Sequence, residues 1–91
     1  MKKLSELYEG FPDIIINDIK INSKEVKNND LFVCIKGVNV DRHDYVDEAI
    51  NNGAVAIVAS KKIDVSVPVI YVSDTNLELA SVCSKFYDYP E

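Results

Sequence analysis

The sequence predicts an α/β domain: a mixed, partly parallel sheet of about four or five strands with helices on its faces. Two apolar runs carry that reading, Leu31 to Ile35 and Ala54 to Ala59. A short run that is apolar on both faces belongs in the middle of a sheet covered on both sides. Between them, Val46, Ala49 and Ile50 form a helical stripe, so strand, helix and strand make one βαβ unit with a right-handed crossover between parallel strands. Composition agrees: 91 residues, 47% hydrophobic and 27% charged, are enough for one modest core and argue against disorder.

Each element has its own signal. Leu4, Leu7, Tyr8 and Phe11 share one helical face, which Gly10 and Pro12 close. Ile14 to Ile16 is rich in β-branched residues. Asp18 to Ser23 alternates polar and apolar, as a strand exposed on one side does. Residues 26–30 read as a turn in which Asn29 takes the left-handed conformation. The run from Leu31 ends at Lys36-Gly37. Asp44 is the expected N-cap of the next helix, with Asp47 and Glu48 in its first turn and Gly53 at its C′ position. A further strand is expected over Val67 to Val72, with Pro68 at its start, where a missing N–H does least harm. Thr75-x-x-Glu78 is a capping-box signature. It opens a helix with Leu79, Val82, Cys83 and Phe86 on one face, which ends in the stretch from Tyr87 to Glu91. There is no internal repeat, low-complexity tract or linker, so residues 1–91 read as one domain. Nothing in the sequence closes the molecule at Glu91; that end reads as a cut at a domain border, with a natural terminus as the alternative.

Several function classes are disfavoured. A net charge of −5 argues against nucleic acid and against an anionic membrane surface. No apolar run approaches the roughly 20 residues needed to span a bilayer, and the start lacks the apolar stretch of a signal peptide. A cytoplasmic location is the expectation, with Cys34 and Cys83 as buried, reduced thiols. One histidine and no Cys-x-x-Cys leave too few ligands for a metal site. An anionic small molecule stays open, since backbone N–H groups, hydroxyls and one or two cations suffice to hold a phosphate.

No catalytic constellation is present. The glycines stand at 10, 37 and 53, so neither Gly-x-x-x-x-Gly-Lys-Ser/Thr nor Gly-x-Gly-x-x-Gly can be assembled. His43 reads as a helix-entry residue that packs or bonds locally. Two stretches remain as a candidate site. Asn22-Ser23-Lys24 ends a strand, where Ser23 can present a hydroxyl to a ligand with Lys24 close by for charge. Residues 37–42 join a central strand to the next helix, and open α/β sheets bind ligands beyond the carboxyl ends of their strands. The alternatives are a plain strand terminus and a plain βα connection.

Read together, the stretch from Ile21 to Gly37 resembles the N-terminal motif of the Mur ligases: Asp-Ser/Thr-Arg, a short turn with Gly-Asp, then Leu-Phe-Val-Ala and a closing Gly. Asp41, His43, Tyr45, Ala49-Ile50, Gly53-Ala54 and Ala56 to Val58 follow the same family's order. The resemblance covers nearly the whole chain. The tail from Ser84 to Pro90 is similar to the branch that adds the third residue of the peptidoglycan stem peptide. The related branch that adds D-alanyl-D-alanine shares the rest.

What the resemblance implies is a domain that holds the uridine-diphosphate end of UDP-N-acetylmuramoyl-dipeptide. It would dock against the protein's own central ATPase domain, while a C-terminal domain brings the amino acid. ATP and Mg2+ would serve the full-length enzyme, with no cofactor, no metal and no catalytic residue in this chain, which alone would be inactive. Carried over by position, Ser23 touches the uridine or diphosphate and Ile21 packs near the uracil. Val38, Asn39 and Val40 line the base through backbone groups and the Asn39 amide. Simple packing is the alternative for Ile21 and Val38. Lys24 and Arg42 are possible charge contacts to the diphosphate. Asn22, Lys24, Asn29 and Arg42 stand where the family has Asp, Arg, Gly and a frequent Gly, so any Asp–Arg bracing of the first turn is lost. The rival reading from another class is a stand-alone regulatory or ligand-sensing α/β module.

Overall fold

The computed structural model describes residues 2–36 and 42–87, with the Arg42 side chain left out. The expectations placed on Val38, Asn39, Val40, the Arg42 side chain and residues 88–91 lie outside the described residues. The elements run β1 (Lys2–Lys3), α1 (Leu4–Leu7), β2 (Ile15–Ile16), β3 (Asp18–Lys20), a 3-10 turn (Ser23–Glu25), β4 (Asp30–Val33), a second 3-10 turn (Arg42–Tyr45), α2 (Val46–Asn52), β5 (Ala54–Ala59), β6 (Val69–Tyr71) and α3 (Thr75–Tyr87).

Strands β3, β4, β5 and β6 form one sheet in that order, and every neighbouring pair is parallel. The prediction of a partly parallel α/β sheet therefore holds, and β4 and β5 are its inner strands. Strict sequential order has a steric consequence. Right-handed crossovers between successive strands that all step the same way must pass over the same face. Here that face carries the first 3-10 turn and α2, and it packs Phe32, Cys34, Val46, Ala49, Ile57 and Ala59 into one apolar cluster. The opposite face falls to the two ends of the chain. Leu4 and Leu7 of α1, with Val82 and Phe86 of α3, cover Leu31, Val33, Ala56 and Val58 there. Alternation along β4 and β5 thus feeds two cores rather than one core and solvent, which is why both runs are apolar throughout.

Three local expectations need correction. The first helix ends at Leu7: Tyr8 is already extended and Gly10 turns the chain at φ +90°. Tyr8 and Phe11 still reach the α1–α3 core, but from the turn. The β-branched stretch supplies β2, whose partner the sequence does not specify: it forms an antiparallel ribbon with β1, pairing Lys2 with Ile16 and Lys3 with Ile15. Asp44 is not a helix cap, because a 3-10 turn precedes α2 and the N-cap position falls to Tyr45, which makes no side-chain cap bond. At α3 the cap is Asp74 rather than Thr75. The Asp74 carboxylate accepts from the N–H groups of Asn76 (2.9 Å) and Leu77 (3.1 Å). An aspartate one residue upstream wins the position, and Glu78 is left for other work.

That work is a tie between α3 and the bend after α1. The Tyr8 hydroxyl donates to Glu78 at 2.7 Å, and the Lys85 ammonium lies 5.6 Å from the centre of the Tyr8 ring. Burial, the hydrogen bond to Glu78 and the Glu78 charge together push the Tyr8 phenol far above its ordinary range. A group whose folded pKa is raised stabilises the fold below its unfolded value, near 10, and loses that contribution as pH rises beyond it. Tyr8→Phe is therefore expected to lower stability by about 1 kcal/mol at pH 7. The gap to the parent should shrink by up to about 1.4 kcal/mol per pH unit above pH ~10. Urea unfolding of both proteins at pH 7, 10 and 11 checks this; a gap that stays constant contradicts it.

Candidate functional site

Because the four strands of the main sheet are parallel, their carboxyl ends open onto one edge. Ile21 to Ser23 follow β3, Lys36 follows β4, Ser60 follows β5, and Ser73 and Asp74 follow β6. At that edge lies a cleft of about 360 Å³, lined by Lys36, Ser60, Ser73, Asp74, Thr75 and Asn76. Its walls are polar. The Asp74 carboxylate is held against the start of α3 by the two backbone N–H groups it accepts from, so its charge complements the helix there. Lys36 brings a cation to the lining.

The flanks of the cleft are tied by side chains. The Asn76 carboxamide brackets Lys36: the Lys36 N–H donates to Asn76 Oδ1 at 3.2 Å, and Asn76 Nδ2 donates to the Lys36 carbonyl at 3.3 Å. The Ser60 N–H donates to His43 Nε2 at 3.0 Å. His43 was expected to pack or bond locally; its bond instead reaches the end of β5, 17 residues on in sequence.

The β3 side of the edge differs from what the sequence suggested. β3 ends at Lys20, and Ser23 opens a 3-10 turn capped by Asn22, whose Oδ1 accepts from the Lys24 N–H at 3.0 Å. Asn in place of the family's Asp thus still caps the turn, since either side chain offers the oxygen. Ser23 does not stand open beyond the strand. It is 2% exposed, its hydroxyl donates to Glu48 at 2.5 Å, and its carbonyl accepts from Asn52 Nδ2 at 2.8 Å. Glu48 and Asn52 are one turn apart on α2, so the helix holds the serine by both its hydroxyl and its peptide oxygen. Ile21 is the open member of the pair, 36% exposed, and Lys24 is exposed.

At the opposite, amino end of the strands, Asp30 anchors the turn that leads into β4. It is 1% exposed, and its Oδ2 accepts from Lys20 Nζ (2.8 Å) and from the Lys27 N–H (2.8 Å). The hydrogen bond to Asp30 leads in raising the Lys20 ammonium above its ordinary value. Burial works to raise the neighbouring Asp18 carboxyl, but hydrogen bonds from Tyr87 and Ile19 and the nearby Lys20 outweigh it and hold Asp18 below the usual carboxylate range. Asn29 sits at φ +67°, as expected of the residue standing where the family has Gly.

Sequence reasoning singled out Ile21, Ser23 and Lys24 on the β3 side, but not Ser60, Ser73, Asp74 or Asn76. The signal for the latter was available: Ser73-Asp74 follows a parallel strand and precedes a helix, as residues 37–42 do.

Comparison with known proteins decides the family. The pattern described as the Mur ligase family, catalytic domain, matches residues 15–90. The chain belongs to the Mur ligase family. Among curated Mur ligases, the UDP-N-acetylmuramoyl-L-alanyl-D-glutamate–2,6-diaminopimelate ligase of Halalkalibacterium halodurans is 46% identical over 84 residues, 92% of this chain and 17% of the relative. The ligase of the same name from Bacillus velezensis is 48% identical over 80 residues, 88% of this chain and 16% of the relative. The chain thus spans about a fifth or less of the relatives it matches. Among solved structures, the MurF ligase of Thermotoga maritima in complex with ADP superposes with a TM-score of 0.69 at 37% identity, covering 82% of this chain and 18% of that one. A MurF of Acinetobacter baumannii gives a TM-score of 0.81 over 96% of this chain and 21% of that one; at 22% identity it supports the Mur ligase fold alone.

Proposed function

We propose that this chain is the N-terminal, substrate-holding domain of an ATP-dependent amide ligase of peptidoglycan synthesis, working in the cytoplasm. Its substrate class is UDP-N-acetylmuramoyl-dipeptide, to which the full enzyme adds the third stem-peptide residue. One observation carries the reading: identity of 42–48% with ligases of that substrate over most of the chain. Their shared name makes 2,6-diaminopimelate the first choice of amino acid. The cleft at the carboxyl edge of the sheet supports it, being polar, provided with a cation and placed where parallel sheets take ligands. The MurF structures keep the D-alanyl-D-alanine-adding branch as the second reading, at lower identity.

In this reading the chain contributes binding, not chemistry. The residues present do not fit ATP: the sequence has no glycine-rich phosphate loop. Nor, among the described residues, is there a group of three or more His, Cys, Asp or Glu side chains able to hold a metal. ATP and Mg2+ belong to a central domain against which this one docks. Anchoring the uridine diphosphate, remote from the reacting carboxylate, holds that carboxylate in line and uses binding energy away from the reaction centre. Ile21, Val38, Asn39 and Val40 are the proposed contacts, with Lys24 and Arg42 as charge partners; Ser23 acts beside them from within the turn. Ser23 takes a narrower part than the sequence suggested. Its hydroxyl is buried and donates to Glu48, so its part is to hold the turn that follows Ile21 rather than to meet the ligand itself.

Titration of the 15N-labelled chain with uridine diphosphate tests this. Shifts are expected at Ile21, Lys36, Ser60 and Asn76, and Ser23→Ala should weaken binding by about 1 kcal/mol. Shifts absent at millimolar ligand, or confined to the α1–α3 face, overturn the reading. No ATP turnover by this chain is expected; measurable turnover contradicts the division of labour.

A further inference from the structure

The structure assigns Asn76 and His43 as positioning residues that set the width of the nucleotide cleft, an inference that rests on the proposed function. Each lies on a different element and ties a different flank. Asn76, at the start of α3, holds both peptide groups of Lys36, where the chain leaves β4. His43, in the turn before α2, holds the Ser60 N–H, where the chain leaves β5. Lys36, Ser60 and Asn76 all line the cleft.

The chemistry of each clamp is specific. A carboxamide is among the few side chains that can both accept from a peptide N–H and donate to the same residue's carbonyl, as a neighbouring strand would. The last described bond from this strand to β5 is from the Cys34 N–H to the Val58 carbonyl, and Asn76 engages the chain two residues further on, at Lys36. His43 accepts through Nε2, so its ring proton sits on Nδ1. Neither residue needs to touch the ligand. Each limits the conformations that the cleft must give up when a nucleoside diphosphate enters, and that cost is otherwise drawn from affinity.

The test is titration of the 15N-labelled 91-residue chain with uridine diphosphate, in the parent and in Asn76→Ala, Asn76→Asp, His43→Ala and His43→Gln, with unfolding midpoints measured alongside. His43→Ala, which loses one hydrogen bond, should weaken binding about fivefold, and Asn76→Ala, which loses two, by at least as much. His43→Gln, whose Oε1 can accept from the Ser60 N–H, should recover most of that loss. Asn76→Asp keeps the acceptor and loses the donor, so it should fall between Asn76→Ala and the parent. A merely structural role moves the unfolding midpoint but not this order of affinities. Equal affinity in folded Ala variants, or His43→Gln no better than His43→Ala, overturns the inference while leaving the functional reading intact. Should His43→Ala fail to fold, the Asn76 pair decides alone. No binding by the parent overturns the functional reading and the inference with it.

Discussion

Gly53→Ala is expected to destabilise the domain by about 3–4 kcal/mol, combining backbone strain and a steric clash of ~1–3 kcal/mol each. Gly53 ends α2 at φ +122°, a conformation that residues with a Cβ rarely adopt. A Cβ there would stand 2.7 Å from Asn28 Cα and 2.8 Å from Asn28 N. Both are backbone atoms, so relief requires moving the turn itself. That turn cannot drift freely, because the Asn29 N–H donates to the Gly53 carbonyl at 2.9 Å and Asn29 Nδ2 donates to the Ile15 carbonyl at 3.0 Å. Gly10→Ala is the control. Its φ is also positive, at +90°, but a Cβ meets nothing within 4 Å, so only the conformational cost of about 1–2 kcal/mol remains. Urea unfolding of both variants checks the contrast. Equal losses at the two glycines would show that close approach contributes nothing at Gly53.

Removal of the Asp30 carboxylate is the second large effect. Asp30→Ala should cost about 3 kcal/mol, the lower end for breaking a buried charged pair. The lower end applies because the Lys20 ammonium keeps Asp18 at 3.4 Å and its side chain is 20% exposed. The Lys27 N–H, by contrast, loses its acceptor outright. Asp30→Asn retains an oxygen for that N–H and should lose about half as much. The readout is the unfolding midpoint together with amide exchange at Lys27. A neutral Asp30→Ala would mean the turn is held by other contacts.

Both predictions sit on residues that the sequence marked without explaining. Gly53 was legible as a helix terminator, because glycine after an apolar stripe is the usual C′ signal. Its close approach to Asn28 was not, since it joins residues 25 apart in sequence through packing. β5 was read to the residue, because a six-residue run apolar on both faces has few other places to go. α1 was over-read. The spacing of Leu4, Leu7, Tyr8 and Phe11 fits a helix, yet the same four side chains reach one core from a single helical turn followed by a bend. The α3 cap differs for a similar reason: Thr75-x-x-Glu78 fits a capping box, but Asp74 stands one residue upstream and accepts from the first turn, while Glu78 serves Tyr8. In the site, the place of Ser23 beyond β3 was legible only roughly, since the strand stops at Lys20 and Ser23 opens a 3-10 turn. The direction of its hydroxyl was not, because Glu48 comes into reach only once α2 folds back over the sheet.

The outer strands of the main sheet, β3 and β6, are three residues long each. Asp18 and Lys20 put charge on the first, and Tyr71, on the second, turns its hydroxyl back to Ile63. Short or charged margins make poor templates for another chain's backbone. Growth of fibrils by strand addition at either margin is thereby discouraged, and concentrated samples should stay dispersed as long as α1 and α3 remain docked.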